Sequence, residues 1–357
     1  MTISKTLMSV GLISALAAGL TSTHAFAQEK KLTFSLSDQM RVSYYWLYLP
    51  EILGYWKKEG LSVDVQSVGG SLEALQQVMA GNADFGQMGA LSVVQASAKG
   101  MPMQIAMMNG TFQWKLAVLA DSAIKSVGDL KGKSIGVFSA STNGNDFLKA
   151  YLKKEKLNPD SDVTLLPVGF GASALEALRK GEVAALYYWP SAFISYEGQG
   201  LAFRYFQSPE WSHYADYSVA GLKKKIDADP KSSEGMVRAM VKATVFADAN
   251  PDCAVKMFWK AHPDAKPTGV DDATALLKDT NMLLAQLHEG NSKSENIGIV
   301  TPDNLKSLQD FMLDAKLVEK TTEPQKMVVA DGDASFFTRV NDFDKAAIVA
   351  DAKACKL

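Results

Sequence analysis

One stretch constrains the fold more than any other: Gly60 to Gly89, G-L-S-V-D-V-Q-S-V-G-G-S-L-E-A-L-Q-Q-V-M-A-G-N-A-D-F-G-Q-M-G. Val63 to Val68 is short and β-branched, which predicts a strand. Gly69-Gly70-Ser71 then turns the chain, with Ser71 in the place of an N-cap. Leu72, Leu75, Val78 and Met79 recur at helical spacing and are expected to bury one face. Gly81 ends that helix, and Ala83 to Gly86 begins a second strand. The product is a strand–helix–strand unit with two glycines and a hydroxyl at the helix entrance. Free N–H groups and a partial positive charge there suit an anionic or carbonyl-bearing ligand.

The pattern returns about a hundred residues later. Val163 to Val168 reads as a strand and Gly169-Phe170-Gly171 as a turn. Leu175-Glu176-Ala177-Leu178 repeats Leu72-Glu73-Ala74-Leu75, and Gly181 closes a helix about one turn shorter before the strand Val183 to Tyr188. Two such α/β lobes facing one another would bring both glycine turns to one cleft.

A chain of 357 residues, 47% apolar and 21% charged, buries a substantial core and suits two lobes. The first 27 residues read as a cleavable export signal. Lys5 is the basic start, Leu7 to Leu20 the apolar run, and Ala25-Phe26-Ala27 the small-x-small site. The run is short for a membrane span. No cysteine follows Ala27, so lipid attachment there is excluded. Net charge is −2, and loss of Lys5 makes it −3. With no basic block, nothing points to nucleic acid or an anionic membrane surface. Cys253 and Cys355 are the only cysteines. Export permits a bond between them, which would tie the C-terminus to the body; two unpaired thiols are the alternative.

The remaining elements read in order as follows. Leu32 to Ser37 is a first strand, followed by the loop Asp38 to Arg41 and the aromatic cluster Tyr44, Tyr45, Trp46 and Tyr48. That cluster packs beneath a helix, or gives one or two rings to the cleft. Pro50 is expected to open the regular part of a helix ending near Gly60. Leu91 to Ala98 reads as a helix; Met103 to Met108, Leu116 to Leu119 and Ser134 to Phe138 read as strands. Ser139-Ala140-Ser141-Thr142-Asn143-Gly144 places hydroxyls and an amide at the mouth of a helix Asp146 to Lys156, where one residue would suffice for capping. Tyr187-Tyr188-Trp189-Pro190 ends a strand at the edge where α/β clefts bind ligands. Tyr217 to Leu222 returns as a strand to the first lobe. Ser232 to Ala249, Pro251 to Ala261, Asp271 to His288 and Pro302 to Asp314 are helices with ordinary apolar faces.

Catalytic and metal patterns are missing from the sequence. His213, His262 and His288 are far apart and lack ligand spacing. No G-x-S-x-G elbow and no phosphate-binding G-x-x-x-x-G-K-[ST] loop occurs. Gly169 to Ala174 fits G-x-G-x-x-A, but no acid closes the following strand, so a dinucleotide site is not indicated. No cofactor or metal is called for, and the chain reads as a binder rather than an enzyme.

E-I-L-G-Y-W-K-K-E-G-L-S-V-D-V (Glu51 to Val65), G-G-S-L-E-A-L (Gly69 to Leu75) and G-N-A-D-F-G (Gly81 to Gly86) resemble the NMT1/THI5-like substrate-binding proteins of ABC transporters, which include sulfonate, taurine and pyrimidine-precursor binders. D-L-K-G-K-S-I-G-V (Asp129 to Val137) and A-L-R-K-G-E-V-A-A (Ala177 to Ala185) resemble the family's second half. The resemblance runs from about Leu32 to Pro190. It implies an α/β fold of the type II periplasmic-binding-protein kind, with two βαβ lobes joined by two crossing strands. Lobe 1 would comprise residues 28–116 and 217–357, and lobe 2 residues 117–216. The resemblance places ligand contacts at Gln39 and Arg41 in the first loop, at Gly70 and Ser71, and at Gly89 and Ala90. Asn109 and Trp114 would contribute from the lobe crossing. Ser139, Ser141, Thr142, Asn143, Phe170, Tyr188 and Trp189 would contribute from lobe 2. Ser37 to Arg41 reads S-D-Q-M-R, away from the Trp-Pro-Asn pattern of the pyrimidine-binding branch, which speaks against a thiamine precursor.

The functional expectation is a monomeric periplasmic protein that captures a small organic molecule in the interlobe cleft and delivers it to a membrane permease with its cytoplasmic ATPase. A carboxylate or sulfonate with an apolar or aromatic part is the expected ligand; Arg41 is either its partner or a solvent-facing arginine. A sensor subunit that reports the ligand to a membrane receptor is the alternative. An enzyme like the pyrimidine synthases of the same fold would need the cysteine-rich segment and catalytic histidine that this chain lacks.

Overall fold

The computed structural model describes residues 1–2, 29–290 and 292–357. The expected export signal, which turns on Lys5, Leu7 to Leu20 and the Ala25-Phe26-Ala27 site, lies outside the described residues. Ten strands occur among the described residues: β1 (Lys30–Leu36), β2 (Leu61–Ser67), β3 (Phe85–Met88), β4 (Met103–Met108), β5 (Lys115–Leu119), β6 (Lys133–Val137), β7 (Val163–Pro167), β8 (Ala185–Tyr188), β9 (Phe203–Phe206) and β10 (Ser218–Leu222). They form two five-stranded sheets of orders β2-β1-β3-β10-β4 and β7-β6-β8-β5-β9.

The two sheets share one plan. β1 runs parallel to β2 and β3, as β6 does to β7 and β8. The fourth place in each sheet is taken by an antiparallel strand that has just arrived from the other lobe: β10 beside β3, and β5 beside β8. The echoed strand–turn–helix units thus occupy equivalent positions. Their helices, Ser71–Ala80 and Ala172–Arg179, are ten and eight residues long. β9, which the sequence reading did not pick out, is an edge strand. β5 begins at Lys115, so the second sheet starts two residues before the expected lobe boundary at 117.

Local readings fail at three places, each for a physical reason. The first helix runs Tyr45–Ile52 with Pro50 inside it, and a second turn, Tyr55–Lys58, follows Gly54 at φ 65°. Burial of Tyr45, Trp46 and Tyr48 starts the helix early, so Pro50 does not open it. Trp46 meets Phe34 edge-on at 6.2 Å, and Tyr48 lies 4.8 Å from Phe258. In the Ser71–Ala80 helix, Leu72 and Met79 are exposed; Ser71, Ala74, Leu75 and Val78 form the buried face. Finally, Gly70 rather than Ser71 is the N-cap. The helix entrance abuts the other lobe, so Ser71 turns inward instead of capping.

The C-terminal third is helical, as its 3.6-residue periodicity predicts: Pro230–Ala249, Pro251–Ala261, Asp272–Glu289 and Pro302–Asp314, then Ser335–Asn341 and Lys345–Ala354. Met236, Val237, Met240, Val241 and Phe246 are buried against the first lobe. The Asp272–Glu289 helix packs on the Pro190–Glu197 helix of the second lobe, and Phe311 stacks on Phe147 at 4.9 Å. The C-terminal helices therefore touch both lobes. Cys253 and Cys355 form a disulfide, with Cα atoms 5.7 Å apart. It fastens the last helix to the Pro251–Ala261 helix.

Candidate functional site

Two crossing segments join the lobes and pair with each other. The Asn109 N–H donates to the Tyr217 carbonyl at 2.8 Å, the Phe112 N–H to Tyr214 at 2.9 Å, and the Asp216 N–H to Gly110 at 3.2 Å. Thr111 and Ala215 form an antiparallel bridge between them. Beside this ribbon, between the lobes, lies a cavity of about 40 Å³. A water needs roughly 10–15 Å³ of such space, so the cavity has room for a few waters. The lobes are closed on it.

Closure is made by loops that the sequence marks as glycine- and hydroxyl-rich. The Leu72 N–H donates to the Ser141 carbonyl at 3.2 Å. The Ser139 hydroxyl donates to the Gly69 carbonyl at 2.7 Å, and the Ser141 hydroxyl to Glu73 Oε1 at 3.2 Å. The Ser71 hydroxyl donates to Asn143 Oδ1 and accepts from the Gly89 N–H, both at 3.2 Å. Glycine is required at this contact. A Cβ on Gly70 would stand 3.0 Å from the Ser141 carbonyl, and one on Gly89 would be 2.7 Å from Asp216 Oδ1.

Of the residues the resemblance singles out, Gly70, Ser71, Gly89, Trp114, Thr142, Asn143 and Trp189 line the cavity. Gln39, Arg41, Ala90, Asn109, Ser139, Ser141, Phe170 and Tyr188 do not. Ser139 and Ser141 join the lobes, as above. Tyr188 is buried and donates its hydroxyl to the Gly169 carbonyl. Ala90 is buried as the first residue of the Ala90–Ala98 helix. Gln39 contributes its backbone N–H to Asp38 Oδ1 at 2.7 Å. Arg41 is committed to Asp38, with Nε 3.0 Å from Oδ2 and Nη2 2.9 Å from Oδ1. The guanidinium also lies 4.0 Å over the Phe170 ring, so this ion pair bridges the lobes. The Tyr44 hydroxyl adds a bond to Asp38 Oδ2 at 3.1 Å.

The cavity also takes Asp38 of the first loop and Tyr44, the one ring of the aromatic cluster that reaches the cleft, together with Ser37, Gln87, Phe138, Asp216 and Tyr217, which sequence reasoning did not select. Phe138 meets Trp189 edge-on at 5.5 Å, and Trp114 lies 5.3 Å from Trp189. Aromatic rings thus make a contiguous wall. Asp216 is 3% exposed and has no ion-pair partner among the described residues. Burial pushes its carboxyl up to about 7, against the Tyr217 peptide N–H, the Asn143 amide and the Trp114 indole, which face it. Neither Asn143 Nδ2 nor Trp114 Nε1 completes a hydrogen bond with the described residues. Behind the cavity the Glu289 carboxyl is also buried, and it too completes none with them. Burial raises it to about 8, with Asp216 adding to the rise and Lys115 opposing it. No group of histidines, cysteines and carboxylates among the described residues is arranged to hold a metal ion.

Two α/β lobes, a paired double crossing and a closable cavity between them define the periplasmic-binding-protein fold. Solved structures agree on that class. The chain superimposes on a protein from Bordetella bronchiseptica RB50 with a TM-score of 0.67 at 23% identity, covering 88% of this chain and 98% of that one. The alkanesulfonate-binding protein SsuA from Xanthomonas axonopodis pv. citri, bound to MOPS, gives 0.62 at 16% identity, covering 86% and 98%. In sequence, a Brucella abortus chain with a provisional binding-protein name is 27% identical over 209 residues, 58% of this chain. That match spans 64% of the relative's length. A riboflavin-binding protein of Chloroflexus aurantiacus is 23% identical over 240 residues, 66% of this chain and 68% of that one. Residues 43–254 match the NMT1/THI5 like family, and the chain belongs to it.

Proposed function

We propose that this protein is the periplasmic solute-binding component of an ABC importer. It captures a small organic molecule with an apolar or aromatic body between its lobes and presents it to a membrane permease. The observation that carries this reading is the closure itself. Loops from both lobes interlock through Leu72, Ser139 and Ser71 directly beside a buried, aromatic-walled cavity with unused polar atoms. A ligand bound there is enclosed by lobe closure and released by opening, which is what delivery requires. The solved sulfonate binders of the same fold support the transport role. Cysteine, histidine and lysine are all missing from the cavity lining among the described residues, which leaves no nucleophile or base of those kinds at the place where a ligand would sit.

A thermal-shift screen of the purified protein with small organic molecules of both charges tests this. A ligand at about a hundred times its Kd adds about 2.7 kcal/mol, a rise of several degrees in Tm. That rise should vanish in Trp189→Ala. A ligand that stabilises the variant equally binds elsewhere and contradicts the reading.

A further inference from the structure

We infer that the ligand is an organic cation, an ammonium or amidinium group, with its charge against Asp216 and its body against the wall formed by Trp114, Trp189 and Phe138. The inference rests on the interlobe-binding reading above and specifies the chemistry of that site.

Two independent observations carry it. The first is charge. Among the described residues, the cavity lining contains two carboxylates, Asp38 and Asp216, and neither lysine nor arginine. Asp38 is already neutralised by the two-point pair with Arg41. Asp216 is not neutralised. It sits buried on the crossing ribbon with only neutral donors around it. An isolated carboxylate removed from water is costly unless it meets a positive partner. A sulfonate or carboxylate in this cavity would instead face Asp216 at close range, with Arg41 taken and pointing at Phe170.

The second observation is the wall. Tyr44, Trp114, Phe138, Trp189 and Tyr217 line the same cavity as the acid. Ring faces attract cations, tryptophan most strongly, and the effect grows when water is excluded. Aromatic walls around an unpaired carboxylate form a cation site.

The test uses probes matched in shape and opposite in charge: benzylamine and benzamidine against benzoate and benzenesulfonate. Binding is followed by tryptophan fluorescence and by calorimetry. The cationic pair is expected to bind and the anionic pair to bind at least tenfold more weakly. Asp216→Asn should lose tenfold or more for the cations and gain for the anions. A milder variant, Trp189→Phe, should weaken the cations a few-fold and leave the fold intact. If the anions bind better and Asp216→Asn does not weaken the cations, the inference falls while the binding-protein reading stands. If no probe of either charge binds, the inference falls, and the thermal-shift screen decides the binding-protein reading by itself.

Discussion

Gly70 and Ser141, on opposite lobes, meet so closely that a Cβ on Gly70 would stand 2.6 Å from the Ser141 hydroxyl and 3.0 Å from its carbonyl. Part of what is struck is backbone, so the neighbour cannot swing aside. Gly70 itself is extended, at φ 162°, a conformation open to any residue. The glycine is there for the approach of the lobes, not for its backbone angles.

Gly70→Val should therefore fold normally and close poorly. Its unfolding free energy is expected to stay within about 0.5 kcal/mol of the parent. Its ligand affinity should fall about tenfold or more, equivalent to about 1.4 kcal/mol. Titration of parent and variant side by side checks this; equal affinities would mean that the cleft does not need to shut.

Arg41 and Asp38 form a partly buried pair, with side-chain exposures of 21% and 3%. Arg41→Met leaves Asp38 buried with only the Tyr44 hydroxyl and the Gln39 N–H. Stranding one member of a fully buried pair costs about 3–5 kcal/mol; Arg41 is partly exposed, so about 2 kcal/mol is expected. Urea unfolding measures it, and the double variant Asp38→Asn/Arg41→Met should recover part of the loss.

Stability should decline as pH rises from about 4 to about 8. Asp216 and Glu289 carry folded-state pKa values of about 7 and about 8, above their ordinary 3.8 and 4.5. Across that window the unfolded chain releases protons that the folded chain keeps, so folding becomes less favourable. Each tenfold difference in proton affinity between the folded and unfolded chain is worth about 1.4 kcal/mol. The groups facing these carboxyls are Lys115, Tyr44, Tyr45 and Tyr217, together with Asn143 and Trp114. Melting curves of Asp216→Asn/Glu289→Gln should show a flatter pH dependence and a higher midpoint at pH 8. An unchanged slope would refute the assignment.

The Cys253–Cys355 bond closes a loop with a sequence separation of 102. Loop-closure arguments give about 4–5 kcal/mol for such a loop, and native disulfides commonly deliver about 2–4. Reduction, or Cys253→Ala with Cys355→Ala, should lower stability by about 3 kcal/mol in urea. Ligand affinity should change little, because the bond lies outside the cavity lining.

The sequence makes the two-lobe plan legible because its signals are local. Glycine pairs close strands, Gly81 and Gly181 end helices, and the repeated Leu-Glu-Ala-Leu marks equivalent units. The site is less legible. Gly70, Ser71, Asn143 and Trp189 sit at turns and strand ends, which sequence can locate. Asp216 is a lone aspartate between Ala215 and Tyr217, with no turn or helix signal around it. It matters only because the second crossing segment returns along the first and carries it into the cavity. Arg41 fails in the opposite sense. Its position next to the cleft is readable, but its partner three residues earlier takes the charge that a ligand would have used. Ser71 looks like a helix cap by type, and only the packing of the other lobe turns it toward Asn143.

The central claim is that the lobes shut on a ligand at this cavity. Small-angle X-ray scattering of the purified protein with and without a bound ligand tests it most directly, with binding verified on the same samples by calorimetry. The account predicts a smaller radius of gyration on binding, with the ligand-bound curve nearer than the free one to the closed structure described above. It also predicts no contraction for Gly70→Val at a matched degree of saturation. Identical curves for the free and saturated parent protein would contradict it.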